Sequence, residues 1–380
     1  MGGPALGVGE LARRRPAAEW DRFARWPALR ARLVLIALAL MVLASALVPI
    51  TAGSSAVATA SFTQAVTGQA WPAERARDDD LAFYDRVIER LADGERYYDF
   101  IVGEQRDRGY AVNPRLNVRL PTLAHIESWL GEPGEIAVAI ALLLATLVAW
   151  WRRLGEEAGP DRRRLWQMAL LYFGVSLGLN RYHFVLHELW TGMLLALSFG
   201  LHRPGKWHAS LAVAALALAI RELALPFVAL MAAMAFWRRD WKEGAAWTAL
   251  IAGFLAALAL HLDAVSAHVL ASDLPSESWL AMRGLSGWLS DIVLSSNLRF
   301  LPGWLAGPLV MLALAGWAGW RSPAGAFGTL LFLGYGAAFM IAGRDNNFYW
   351  GMVVAPTLFL GLAFAPRALL GLVRSALGKT

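Results

Sequence analysis

Cysteine is absent from all 380 residues. That excludes disulfides, thiolate metal sites and cysteine nucleophiles, and leaves any exported segment to hold together by packing alone. Charge is also scarce, at 17% of residues against 57% hydrophobic. One soluble core of this length cannot hide so much apolar surface, so most of it must face lipid or other spanning helices. No Gly-x-x-x-x-Gly-Lys-Ser loop is present, and no soluble nucleotide-sugar domain is visible, which removes the usual ways of cradling a nucleotide. No repeat with a period of about 20 to 50 residues is evident either. The net charge of +6 does not point to nucleic acid, because the arginines sit at the ends of apolar runs and not along one basic face.

Apolar stretches occur near 33–50, 136–151, 165–179, 188–201, 209–220, 223–237, 244–262, 302–320, 324–342 and 348–365. The expected fold is therefore an all-α polytopic membrane protein of about ten transmembrane helices. Several stretches fall short of the roughly 20 residues that a perpendicular crossing needs, so they must be extended, re-entrant or matched to thinner bilayer. The run after the basic stretch Arg22 to Arg32 is as long as a span and has no convincing cleavage site, so it is expected to be a retained first helix.

If the N-terminus with Arg13, Arg14 and Arg15 is cytoplasmic, alternation puts 152–164, 202–208, 238–242, Arg321 and the tail with Arg367, Arg374 and Lys379 on the same side. Every short basic connection then lies inside, as the positive-inside rule requires. Tryptophans 150, 151, 166, 207, 237, 241, 317 and 320 fall near the inner ends, where amphipathic rings prefer the interface. The expected organisation is a cytoplasmic segment 1–32, a first span 33–50, an external segment 51–135 with amphipathic helices, a bundle 136–365 with an external loop 263–300, and a cytoplasmic tail 366–380. The expected home is a bacterial cytoplasmic (inner) membrane, with both termini cytoplasmic and the active site on the periplasmic face.

That face receives nearly all polar residues that topology leaves unexplained. Asp78, Asp79 and Asp80 precede Leu81, Tyr84, Ile88, Leu91 and Ala92, which recur at helical spacing until Gly94 ends the helix. Neighbouring carboxylates resist simultaneous ionisation, which suits one of them to act as a general base; another can cap the helix. Arg115 and Arg119 offer fork-shaped donors to a phosphate, or pair with acidic neighbours. In the segment NRYHFVLHELW, His183 and His187 lie four apart with Glu188 beside them, a spacing that can hold a divalent metal ion or serve structural hydrogen bonds. Arg221 and Glu222 interrupt an apolar run, so they mark a hairpin tip or a buried site. Arg344, Asp345, Asn346 and Asn347 form a polar turn before Tyr349 and Trp350, a mixture of amides and rings that suits a sugar. In the loop 263–300, Leu280, Trp288, Leu289 and Ile292 with Arg283 and Asp291 read as an amphipathic helix lying along the outer interface.

The segment DDDLAFYDRVIERLADGERYYD resembles the start of the first external loop in GT-C superfamily glycosyltransferases: an acidic residue soon after the first span, a tyrosine four on, then Gly-x-x-Tyr at Gly94 and Tyr97. Related patterns occur in protein O-mannosyltransferases and lipid A aminoarabinose transferases. GYAVNPRLNVRLPTL continues the likeness, which covers about a third of the chain; this sequence lacks the family's commoner Asp-Glu doublet. The resemblance implies Asp80 or Asp79 as catalytic base and inversion at the anomeric carbon. It further implies a polyprenyl-phosphate-sugar donor and a glycan, lipid or protein acceptor. Tyr84, Arg115, Arg119, His187, Glu188, Arg221, Glu222, Arg344, Asp345, Asn346 and Asn347 are then the candidate substrate-binding residues. A transporter or flippase for a lipid-linked or anionic solute would also put Arg221 and Glu222 at membrane depth, but transporters are commonly built from internal repeats. A polysaccharide polymerase or ligase would be expected to carry its long loop in the second half, whereas here the largest comes first.

Overall fold

Apolar runs bounded by glycine, proline and arginine have one low-cost solution in lipid, the helix, because it satisfies its own backbone. The computed structural model describes residues 21–52, 79–156 and 161–379. Arg13, Arg14, Arg15 and Asp78 lie outside the described residues. The described residues are all-helical, with fourteen α-helices and no strand.

The helices are α1 (Ala28–Leu47), α2 (Asp79–Ala92), α3 (Tyr97–Asp107), α4 (Thr122–Glu156), α5 (Asp161–Val175), α6 (His187–Leu201) and α7 (His208–Ile220). After them come α8 (Leu225–Trp237), α9 (Trp241–Ser266), α10 (Gly284–Leu294), α11 (Gly303–Gly319), α12 (Pro323–Ile341), α13 (Ala355–Leu358) and α14 (Leu360–Ala376). Five stretches are long and apolar enough to cross a membrane: Ala28–Leu47, the α4 region, Trp241–Ser266, Pro323–Ile341 and Ala355–Ala376. This is a membrane protein by the length and composition of its helices.

The bundle closes through small residues. A Cβ on Gly316 of α11 would collide with the Gly361 carbonyl oxygen of α14, and one on Gly361 would collide with the Ala313 carbonyl. Backbones therefore meet directly, the packing available where no hydrophobic force separates helix from lipid. Gly316→Leu is expected to push α11 from α14 and lower the thermal melting point of the purified protein; an unchanged melting point would contradict this contact.

One end of the bundle gathers the basic connections. Arg22 donates to the Trp320 carbonyl at 3.3 Å, Arg32 to that of Ala376 at 2.8 Å, and Ser375 to that of Phe23 at 2.7 Å. Trp317 ties this corner to Trp150 and Phe199, near the buried Arg153, which donates to the Phe199 and His202 carbonyls. Glu243 accepts from Arg238 at 2.9 Å and bonds His202 at 2.7 Å, so the ends of α6 and α8 meet the start of α9 on this side. Helix α6 runs 15 residues from His187 to Leu201, about 22 Å at the usual rise. His187 therefore belongs to the opposite end.

At that opposite end a layer built by α2 and α3 covers the bundle. Helix α2 follows the expected pattern with a broader face: Leu81, Phe83, Val87 and Leu91 are buried, and Tyr84 and Ile88 pack beside them. Gly94 ends it with φ of +88°, a left-handed turn that a side chain would strain. Helix α4 is two helices joined at Gly131, so an outer arm of about two turns precedes the span.

One expectation fails here. Helix α10 does not lie along an interface; Gly287 to Val293 are buried, with Leu289 at 0% exposure and Trp288 packed on Gly336 of α12. Arg283 and Asp291 form a buried ion pair at 2.9 Å instead of a solvated face. Internal pairing removes the need for water that the sequence pattern suggested.

Candidate functional site

Arg221 ends α7 in an extended conformation, and a short 3-10 turn at Glu222–Ala224 starts the chain back into α8. The turn thus drives a guanidinium into the bundle, where Arg221 is 1% exposed. Its Nε donates to Glu188 at 2.7 Å and a terminal nitrogen to Glu222 at 2.5 Å. Glu188 occupies the first turn of α6, where the helix dipole favours a carboxylate. Arg119 completes the group, its terminal nitrogen 3.9 Å from Glu188 and its Nε donating to the Tyr84 hydroxyl at 3.2 Å.

These residues line a cavity of about 370 Å³ together with Asp80, His187, Arg344, Asn346, Asn347, Tyr349 and Trp350. Thus α2, the segment before α4, the tip between α7 and α8, and the 344–350 turn, far apart in sequence, open on one space. Asp80 is exposed at its rim on the first turn of α2. Asp79 begins the same helix, and its side chain lies outside the described residues. Asn347 fixes the last turn by accepting from the Arg344 amide at 3.0 Å and donating to the Tyr349 hydroxyl at 3.1 Å.

Three candidates are not brought to the cavity. Arg115 is exposed on a 3-10 turn and is absent from the lining, which its neighbours Leu116 and Asn117 join. Asp345 is 58% exposed and pairs with Arg283 at 3.4 Å. His183 is not in the lining, and no group of three or more histidine, aspartate or glutamate side chains suited to a metal occurs among the described residues.

Other lining residues were not singled out by the sequence pattern: Gln105, Tyr110, Asn117, Ser276 and Trp279. Ser276 and the Glu277 carbonyl both receive Arg344, so the loop after α9 forms a wall of the site. That loop is clamped to α3 by Arg106, whose guanidinium donates to both carboxylate oxygens of Asp273 at 2.5 and 3.0 Å. The Arg106 hydrogen bond, with the Leu270 amide, holds the Asp273 carboxyl below its usual range. A carboxyl lowered by folding stabilises the folded loop at pH above its unfolded value and loses that contribution as pH falls through the depressed value. Protection of the Leu270 amide, the slowing of its exchange relative to an unstructured amide at the same pH, should therefore be high at neutral pH and fall below the ordinary carboxylate range. Asp273→Asn should show low protection at every pH; identical protection profiles would contradict the clamp.

The fold and this cavity define a helical membrane protein with an ionic, aromatic-walled site at one end of its bundle. Compared with protein-family models, curated proteins and solved structures, the chain matches none.

Proposed function

We propose that this chain is a GT-C-like membrane glycosyltransferase that moves a sugar from a polyprenyl-phosphate donor to an extracytoplasmic acceptor, with inversion. The observation that carries this reading is the shared cavity, in which Asp80 stands with Arg119, Arg221 and Arg344. Arginine forks suit a phosphate, and the Tyr349 and Trp350 rings with the neighbouring amides suit a sugar.

In this mechanism Asp80 removes the proton from an acceptor hydroxyl as its oxygen attacks the anomeric carbon from the face opposite the phosphate. A new carbon–oxygen bond forms while the old one breaks, and the electron pair leaves on the carrier phosphate. Arg119 and Arg344 stabilise that growing charge. Arg221, already held by Glu188 and Glu222, ties the tip between α7 and α8 to the start of α6 and so fixes the floor of the site.

Counted with the five long spans, the shorter apolar helices α7, α8 and α11 and the 15-residue helices α5 and α6 bring the proposed membrane passes to ten, with Arg22 and the end of α14 at the basic, cytoplasmic end. Helices α6, α7 and α8 measure about 20 Å at the usual rise, less than the roughly 30 Å hydrocarbon core. The cavity is then sunk below the outer membrane surface, at a depth a lipid-borne phosphate reaches from the side.

The test is incubation of purified protein with a panel of polyprenyl-phosphate sugars and acceptors, comparing wild type with Asp80→Asn for release of free carrier phosphate. Release that survives the substitution in folded protein would remove the catalytic assignment. Counterflow of a solute in liposomes, without turnover of any donor, would establish the transporter reading.

A further inference from the structure

The cavity has an end that the mechanism above leaves unused. Beside Arg119, at the edge of the ionic group, Gln105, Asn117 and His187 line both the cavity and a small recess of about 10 Å³ between α2, α3 and the start of α6. Phe83, Tyr84 and Tyr97 wall the same recess. Gln105 is 6% exposed and His187 4%. Three of their polar atoms, Gln105 Oε1, Asn117 Nδ2 and His187 Nε2, are buried and have no hydrogen-bond partner in the protein. Leaving a buried polar atom unpaired forfeits its hydration without replacement, so three of them around one recess call for an occupant.

Their chemistry defines it. The Gln105 oxygen accepts, the Asn117 amide donates, and the His187 nitrogen does either according to its tautomer. None of the three is a fixed charge, so the set has no preference for phosphate. A hydroxyl, which donates one hydrogen bond and accepts others, satisfies it. The recess is the size of a single water or hydroxyl and too small for a ring, whereas the adjoining cavity of about 370 Å³ has room for a monosaccharide.

We infer that Gln105, Asn117 and His187 form a hydroxyl-anchoring subsite that holds the sugar ring by one of its hydroxyl groups, next to Arg119 and thus adjoining the place of the phosphate. The inference deepens the glycosyltransferase reading and rests on it. It makes this subsite the selector of sugar identity, because a ring lacking a hydroxyl at the anchored position, or carrying it in the other configuration, leaves three buried polar groups unpaired.

The test separates the subsite from the phosphate site by using neutral probes. Methyl hexopyranosides and methyl pentofuranosides are titrated against the full chain in lipid nanodiscs, with saturation-transfer NMR as readout. Bare polyprenyl phosphate is titrated in a parallel arm. At least one glycoside is expected to bind, and Gln105→Leu and Asn117→Leu are each expected to weaken it about fivefold, the worth of one net hydrogen bond. Bare carrier should bind these variants and wild type equally. Absence of glycoside binding in protein that melts normally, or binding unchanged in both variants, overturns the subsite and identifies the recess as a site for structural water only. Failure of the bare carrier to bind instead counts against the donor proposed above.

Discussion

Asp80→Asn is expected to reduce turnover of the lipid-linked donor by about 10²–10⁴-fold, the usual worth of a positioned general base, with donor affinity preserved. The amide keeps the size of the carboxylate but cannot take the acceptor's proton. Because Asp80 is exposed on the first turn of α2 and is not part of the apolar cluster beneath that helix, the fold should survive. Melting point and donor binding therefore act as internal controls. The loss should appear in kcat and kcat/KM alike, the signature of an interaction made in the transition state. A rise in KM alone would make Asp80 a binding residue and move the search for the base to Asp79.

Arg221→Leu is expected to have the largest effect on stability. It removes the buried partner of Glu188, which is itself 2% exposed, and strips Glu222 of its closest cation. Breaking one side of a buried pair costs about 3–5 kcal/mol, because the remaining charge stays uncompensated in a poorly solvated place. Arg119, at 3.9 Å, is too distant to replace a bond of 2.7 Å without moving. Little folded protein should be recovered. Adding Glu188→Gln should restore much of the yield and melting point by removing the orphaned charge, while turnover stays low. A single Arg221→Leu variant that melts like wild type would show that the pair is not a structural keystone.

Much of this was legible in the sequence because it depends on period and charge. The apolar runs as helices, the amphipathic helix beginning near Leu81, its stop at Gly94 and the reversal at Arg221 are local statements; the structure has each, with that helix starting two residues earlier at Asp79 and five of the runs long enough to cross a membrane. The convergence of Asp80, Arg119, Glu188, Arg221 and Arg344 could be anticipated only through sidedness, which brings distant segments to one end of the bundle. What stayed hidden depends on tertiary partners. Gln105 and Asn117 are single amides without a pattern, and only the enclosure by α2 and α6 makes their unpaired atoms informative. Helix α10 reads as a surface helix until Asp291 is seen to satisfy Arg283 inside the bundle. Arg115 and Arg119 look alike four residues apart, yet the 3-10 turn at Arg115–Asn117 directs the first outward, while the second reaches Tyr84.

The central claim is that residues remote in sequence share one cavity on the non-cytoplasmic face. The absence of cysteine makes it directly testable, since any introduced thiol is the only one present. Asp80→Cys and Asn346→Cys at the cavity, and Lys206→Cys at the opposite end, can each be treated with a membrane-impermeant thiol reagent on sealed, right-side-out vesicles. The first two are expected to react from outside and to be protected by polyprenyl-phosphate sugar, while the third is expected to react only after permeabilisation. Labelling of Asp80→Cys and Asn346→Cys from opposite sides of the membrane, or of Lys206→Cys from outside, would contradict it.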